Sequence, residues 1–356
     1  MAEYDISKID RNFAAAREST ADGMRFYELP HPAFALYGVY FDGECFRRLP
    51  QDIADATNEG VGTLCRHTAG GRVRFATDAR KITLRISYPY LSKMGHMTLA
   101  GQAGFALLEE NGECSKLVKM FVPPIDANSG FSMSFDLFGE MKNYILHFPL
   151  YNPVSTLTVG LNEDAALCAG LAYRDIKPIL YYGSSITQGG CASRPDTAYQ
   201  NVIALWNNID FLNLGFSGSA RGEATMVEYL AGIDCSLFVC DYDHNAPTLA
   251  HLEATHYPLY ERFRAAHPDT PILLVTRPDF YFERCDDRKR EAIVRKTYSR
   301  ARAAGDKNVH FLAGRSFFTE DRYLCTVDGA HPTDRGFYLM AKKIYRAMRK
   351  IDPIFG

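Results

Sequence analysis

Two short segments, far apart in a chain of 356 residues, carry groups whose combined chemistry is acyl transfer. Near the middle stands Gly183-Ser184-Ser185-Ile186-Thr187-Gln188-Gly189-Gly190, a run of small and hydroxylic residues that directly follows an apolar stretch. A serine nucleophile needs a base, and the base needs an acid that fixes its tautomer. Near the C-terminus Asp328-Gly329-Ala330-His331-Pro332 offers both on one loop, so that the carboxylate can orient the imidazole while the ring faces a third group. Alone, such an Asp-x-x-His fragment is equally a turn and a cap. Joined to the glycine-serine run it makes a candidate triad of Ser185, Asp328 and His331, in the chain order Ser, Asp, His. Phosphate binding is the rival for the first run, which lacks the spacing and the lysine of a P-loop and does not match G-x-G-x-x-G.

These groups must be held by the elements around them. After Asp175 the sequence alternates short, nearly continuous apolar runs with helix-length amphipathic stretches, the pattern of a parallel sheet buried on both faces. The strands expected are Pro178–Tyr182, Phe211–Leu214, Leu237–Asp241, Ile272–Thr276 and His310–Leu312. The helices expected are Thr197–Trp206, Glu223–Ala231, Leu249–Ala266, Asp286–Ala304 and one after Pro332. Ligands of open parallel sheets bind at the carboxyl ends of the strands, where the Gly183 run falls. From about residue 34 to 161 the period is instead two: Ile82, Leu84, Ile86 and Tyr88 alternate with Lys81, Thr83, Arg85 and Ser87, and Phe131–Leu137 and Thr156–Leu161 repeat the pattern. Gly70-Gly71, Glu110-Asn111-Gly112, Asn128-Ser129-Gly130 and Asn152-Pro153 supply turns between them. The expectation is an antiparallel β-sandwich, jelly-roll-like, over residues 1–174 and a flavodoxin-like three-layer α/β/α domain over 175–356, joined near Tyr173–Lys177.

Composition narrows the partners. Lys and Arg number 40 against 42 Asp and Glu, without the basic surplus that nucleic acid demands. The acidic start Met1-Ala2-Glu3-Tyr4-Asp5 has no apolar segment after it, and no run is long enough for a membrane span, so a cytoplasmic chain is expected. The nine cysteines (45, 65, 114, 168, 191, 235, 240, 285, 325) show no Cys-x-x-Cys spacing and are read as reduced, mostly buried thiols. No metal ligand set and no cofactor site is visible. The basic helix around Arg284–Arg302 is read as a solvated face over a stripe that includes Ile293 and Tyr298, and Trp206 as a buried helix residue. Tyr88, Tyr90 and Tyr151 stand either as ligand-stacking or as core and edge residues. Self-association is left open.

Gly183-Ser184-Ser185-Ile186-Thr187-x-Gly189 resembles the G-D-S-[IL]-[ST]-x-G block of the SGNH hydrolases, the GDSL-type esterases and acyl hydrolases. Asn213-Leu214-Gly215-Phe216-Ser217-Gly218 is similar to their second block, Asp243-His244-Asn245 stands where the third falls, and Asp328-x-x-His331-Pro332 resembles the last. The α/β-hydrolase elbow G-x-S-x-G fits less well, since Gly215-Phe216-Ser217-Gly218-Ser219 ends in serine. The resemblance implies Ser185 as nucleophile, His331 as base and Asp328 as its orienting acid, with an oxyanion hole of the Ser185 and Gly218 N–H groups and the Asn245 amide. Ser184 replaces the family's aspartate, and the third block departs from G-x-N-D; Ser184 and His244 are candidate substrate contacts. If Ser184 only shapes the loop, Ser184→Asp should keep or improve activity. The activity implied is a serine esterase acting on short acyl esters, chiefly acetyl, carried by a carbohydrate or another small molecule. Its alternatives are an acyltransferase using the same acyl-enzyme and a non-catalytic carbohydrate-binding protein. The front domain, by analogy with carbohydrate esterases, either flanks the site or only stabilises the catalytic domain.

Overall fold

The computed structural model describes residues 23–111, 115–278 and 286–356; Cys114, Cys285, Arg284 and the Gly112 end of one expected turn lie outside them. In the C-terminal half the apolar runs become five parallel strands, β1 (Ile179–Gly183), β2 (Phe211–Gly215), β3 (Leu237–Asp241), β4 (Ile272–Val275) and β5 (Val309–Leu312), in the order β2-β1-β3-β4-β5. β1, β3 and β4 are buried at every residue, which is why their sequences are apolar throughout instead of alternating. The helices are α1 (Ser185–Gln188), α2 (Tyr199–Asn207), α3 (Ala224–Ala231), α4 (Leu249–Ala266), α5 (Asp287–Ala303) and α6 (Asp334–Ile351). α2 and α6 cover one face of the sheet, and α3, α4 and α5 the other. The strand order reverses direction between β1 and β3, and the crevice outside their carboxyl ends is where such sheets bind ligands.

The front half is a sandwich of two antiparallel sheets. One runs Met24–Glu28, Thr156–Asn162, Lys81–Ser87, Gly130–Asp136; the other runs Leu167–Cys168, Arg72–Thr77, Lys142–His147, Phe105–Glu110, Ser115–Phe121, with Ala35–Tyr37 also paired to Arg72–Thr77. Ile82, Leu84, Leu157 and Val159 of the first meet Val73, Phe75, Leu107 and Tyr144 of the second in a shared core. Thr83 departs from the expected alternation: it is buried, and its hydroxyl bonds Ser134 Oγ at 2.7 Å, which satisfies it there.

The change of period near residue 174 is not a break in packing. Helices Gln51–Thr57 and Glu59–Leu64, too short to print a helical period, bury Ala54 and Val61 in the same cluster as Met226 of α3 and Leu252 of α4. Leu150 and Tyr151 likewise join Ile186, Tyr199 and Phe337. Two other expectations are corrected. Trp206 is 41% exposed, edge-on to Tyr338, because it lies on the outer side of α2. Arg290 is buried, not solvated: its Nη1 donates to the carbonyls of Asp243 at 2.7 Å and Ala246 at 2.8 Å and so ties α5 to the loop after β3. Of the cysteines in the described residues, Cys168 is exposed and the others are buried, all as free thiols.

Candidate active site

Each strand end at the crevice contributes one part. β1 delivers Ser185 as the first residue of α1, whose cap is the neighbouring Ser184: that hydroxyl accepts the Ile186 N–H at 3.1 Å. Gly183 is required by close approach, since a Cβ there would run into the Asp241 carboxylate and the Thr187 hydroxyl. Asp241, at the end of β3, accepts the Thr187 Oγ–H and, at 3.4 Å, the Ser184 N–H; burial pushes its carboxyl up to about 8. This group beneath the serine loop carries no motif of its own in the sequence.

The loop Cys325–Thr333 closes on itself through Val327 N–H to His331 O and Thr333 N–H to Cys325 O, both 2.9 Å, before Thr333 caps α6. It brings His331 Nε2 to 2.9 Å from Ser185 Oγ and His331 Nδ1 to 2.8 Å from Asp328 Oδ2. Asp328 Oδ1 accepts the N–H groups of Ala330 and His331 at 2.9 and 2.8 Å. Burial raises the Asp328 carboxyl, but these N–H groups and the His331 ring outweigh it and hold the group at about 2. It is therefore a carboxylate at any physiological pH, able to keep a proton on Nδ1 and leave the Nε2 lone pair toward Ser185.

Opposite this relay lies the turn after β2. Gly218 has φ +65° with open space where a Cβ would stand, which fits the exposed backbone approach expected of an oxyanion donor. The Asn245 amide donates one hydrogen to Phe216 O at 3.0 Å, leaving its second free to turn to the cleft. Ser185, Ile186, Ser217, Gly218, His244, Asn245, Arg277, Ala330 and His331 line one cleft of about 330 Å³. His244 stands on the wall of this cleft. Ser184 does not: it is fully buried with its hydroxyl engaged by Ile186 N–H, so the expected substrate contact is replaced by a cap. Cys191, the nearest other nucleophile type, is a poor rival, because burial and the Asp328 charge push its thiol up to about 12.

Residues 176–349 match the GDSL-like lipase/acylhydrolase family model, and residues 24–167 match the N-terminal region of SGNH-hydrolase-type esterases. Residues 176–349 belong to the GDSL-like lipase/acylhydrolase family. Among solved structures, a Bacteroides ovatus ATCC 8483 protein described as a GDSL-like lipase is 27% identical over 92% of this chain and 98% of its own, with a TM-score of 0.83. The salicylyl-acyltransferase SsfX3 of a tetracycline biosynthetic pathway is 21% identical over 93% and 98%, TM-score 0.76, and an acetyl xylan esterase (Est2A) of the rumen bacterium Butyrivibrio proteoclasticus is 13% identical over 94% and 100%, TM-score 0.59. The last two show the shared fold. No curated protein matches the sequence. This GDSL-type chain is a carboxylic ester hydrolase with the expected two-sheet front and five-stranded parallel sheet. Among the described residues no helix is long and apolar enough to cross a membrane.

Family motifs do not account for the front half's grip on the site. Arg48 is wholly buried, donating to the carbonyls of Leu64, His67, Asn213 and Gly215 at 2.6, 2.7, 3.0 and 2.5 Å and stacking over Phe216 at 4.6 Å; burial lowers its guanidinium to about 10. It therefore pins the end of β2 on which the Gly218 turn depends. Gln188 Oε1 accepts the Ser217 N–H at 3.0 Å while its amide faces His67 Nδ1 at 3.3 Å, and the other His67 nitrogen faces Tyr90 at 3.3 Å. Burial drives His67 down to about 3, so it is neutral and can accept at Nδ1 and donate at Nε2. Tyr151 donates to Ser185 O at 3.0 Å. Tyr88 and Tyr151 are buried, and Tyr90 is 37% exposed.

Proposed function

We propose that this GDSL-type hydrolase is a serine esterase acting on short acyl esters through Ser185, His331 and Asp328. The observation that carries the reading is the continuous relay of 2.9 and 2.8 Å bonds from Ser185 Oγ through the imidazole to Asp328. His331 Nε2 takes the serine proton as Oγ attacks the ester carbonyl carbon. Charge developing on the carbonyl oxygen is met by the N–H groups of Ser185 and Gly218 and by the Asn245 amide. The imidazolium, oriented by Asp328, returns its proton to the departing alcohol, and the acyl group stays on Ser185. Water then attacks with His331 again as base, and Ser185 recovers its proton as the acid leaves.

A cleft of about 330 Å³ sits at the small end of ligand sites, which favours a short acyl chain. His244 and Arg277 on its wall offer hydrogen-bond donors to a polar alcohol portion, and an acetylated carbohydrate is the alcohol class we propose. The likeness in fold to an acetyl xylan esterase supports that choice. The likeness to an acyltransferase keeps a second reading, in which an alcohol replaces water in the second half-reaction.

The test is release of nitrophenol from esters running from acetyl to octanoyl, with the wild type and Ser185→Ala compared. Activity that falls steeply with acyl length and is abolished in Ser185→Ala supports the reading. Release that survives the substitution refutes it. Adding acceptor alcohols to the same assay separates transfer, in which the acylated alcohol accumulates, from hydrolysis.

A further inference from the structure

Beside the nucleophile three soft or borderline ligand types converge from three separate loops. His96 comes from the front half just before the short helix Leu99–Ala103, Cys191 from the turn after α1, and His331 from the last loop. One ligand atom from each lies within 4.8 Å of the other two. The His96 and His331 rings stand 5.9 Å apart between centroids, and Cys191 Sγ contacts the His96 carbonyl at 3.5 Å. Around one tetrahedral zinc with bonds of about 2.0–2.3 Å, ligand atoms stand about 3.4–3.6 Å apart, so side-chain movements of about 1 Å close the site.

We propose that His96, Cys191 and His331 form a site for a thiophilic divalent cation, with zinc the fitting ion, and that its occupation switches the esterase off by capturing the catalytic base. The inhibitory clause rests on the role of His331 proposed above; the metal site itself does not.

Several features fit that assignment. Asp328 already holds Nδ1 of His331, so the Nε2 lone pair, which otherwise faces Ser185 Oγ at 2.9 Å, is the one a cation would take, in the carboxylate–imidazole–metal arrangement found around zinc ligands. The Cδ2 edge of the ring, adjacent to Nε2, faces the turn that carries the thiol: a Cβ on Gly190 would stand 3.1 Å from His331 Cδ2. The turn itself is fixed. Gly189 and Gly190 N–H groups both donate to Ser185 O, at 3.1 and 2.7 Å, and Cys191 takes a φ of +73°, a conformation that surrounding bonds must hold. Ser193 N–H donates to Asp334 at 2.8 Å and Thr98 Oγ to Ser193 O at 2.6 Å, locking the cysteine turn to α6 and to the His96 segment. Three protein ligands leave a fourth position for water. Binding replaces the Cys191 S–H bond by a sulfur–metal bond and releases one proton to solvent, and it takes the lone pair that would otherwise accept the Ser185 proton. A chelator that removes the cation lets the sulfur take a proton back from solvent and returns the Nε2 lone pair to Ser185, so occupation should be reversible.

The test uses the full chain and two readouts. Cobalt(II) titrated into the wild type should give intense visible d–d bands and a near-ultraviolet thiolate-to-cobalt charge-transfer band, which zinc bleaches by displacement. Cys191→Ser should lose the charge-transfer band. In the ester assay zinc should abolish hydrolysis and EDTA should restore it. Cys191→Ser and His96→Ala should keep their metal-free hydrolysis yet need far more zinc for inhibition. Removing a ligand costs at least the ~10–100-fold in affinity that loss of an outer-shell partner costs. A wild-type cobalt complex without a thiolate band, or equal zinc sensitivity in all three proteins, overturns the proposal. A thiolate band in a chain that hydrolyses no ester would uphold the site and count against the esterase reading instead.

Discussion

Replacing Ser184 by Asp restores the residue that GDSL-type sequences usually carry before the nucleophile, and the structure reverses the outcome that the sequence alone predicts for it. Ser184 is fully buried, its hydroxyl caps Ile186 N–H at 3.1 Å, and its own N–H points at the Asp241 carboxylate at 3.4 Å. Asp is as good a cap as Ser, and a charge near a helix start gains at most ~1 kcal/mol. Against this, a carboxylate enters a site without water, where the penalty is several kcal/mol unless it is fully hydrogen-bonded. Its neighbour adds a pH signature. Burial holds Asp241 at about 8, so it is largely neutral at pH 6 and largely ionised at pH 9. Two carboxylates about 5 Å apart at an effective dielectric of about 20 repel by about 3 kcal/mol when both are charged. Ser184→Asp should therefore be less stable than the wild type at pH 6 by about 2 kcal/mol, and by a further ~2–3 kcal/mol at pH 9 unless one carboxyl keeps its proton. Ser184→Ala, which loses the cap and leaves Ile186 N–H buried without a partner, should cost about 2 kcal/mol at both pH values. Urea unfolding at pH 6 and 9, with acetyl ester hydrolysis measured on the same samples, reads all of this. A Ser184→Asp protein as stable as the wild type at both pH values and fully active would refute the reasoning, and would show that the loop accepts the carboxylate its relatives carry.

Asn245→Ala should lower kcat for acetyl ester hydrolysis about 10²–10³-fold with little change in KM, because the lost amide acts on charge that appears only in the transition state; a rate within a few-fold of wild type removes Asn245 from the oxyanion hole. Arg48→Met should cost about 2–5 kcal/mol in urea unfolding and also reduce kcat in the folded fraction, since it frees the carbonyls of Asn213 and Gly215 at the base of the Gly218 turn; stability loss with unchanged kcat would confine Arg48 to a scaffold role. Asp241→Asn tests the buried carboxyl by linkage. With its pKa raised, Asp241 holds a proton in the folded chain from about pH 4 to 8 that the unfolded chain has released, so its contribution to stability is lost as pH rises through 8. The Asn variant should gain on the wild type between pH 6 and 9, and parallel pH–stability curves would contradict the buried, protonated assignment.

Much of the catalytic half was legible because its signals are local. β3 and α4 fall at the bounds that apolar continuity and amphipathic length predict, Leu237–Asp241 and Leu249–Ala266. The cluster of Ser185, Asp328 and His331, which we propose as the triad, was legible for a different reason: each sits in a short motif whose spacing reflects one loop's geometry, so the resemblance could carry all three. What escaped was whatever depends on residues distant in sequence meeting in space. Arg48 lies 165 and 167 positions from the carbonyls it pins, and nothing near it in the sequence distinguishes a buried arginine from a solvated one. Asp241 was legible only as the end of a strand, though it stands under the serine loop. The His96, Cys191 and His331 cluster shows why spacing rules fail here: ligand-spacing motifs describe sites built within one loop or hairpin, and this one is built by three loops that the sandwich and the parallel sheet bring to a common edge. The same edge explains why the front half is more than a stabilising attachment. It supplies Arg48 to the Gly218 turn and Tyr151 to the Ser185 carbonyl, so the geometry of the serine site is a property of both halves packed together, and a chain cut at the change of period would lose the second set of constraints along with the first.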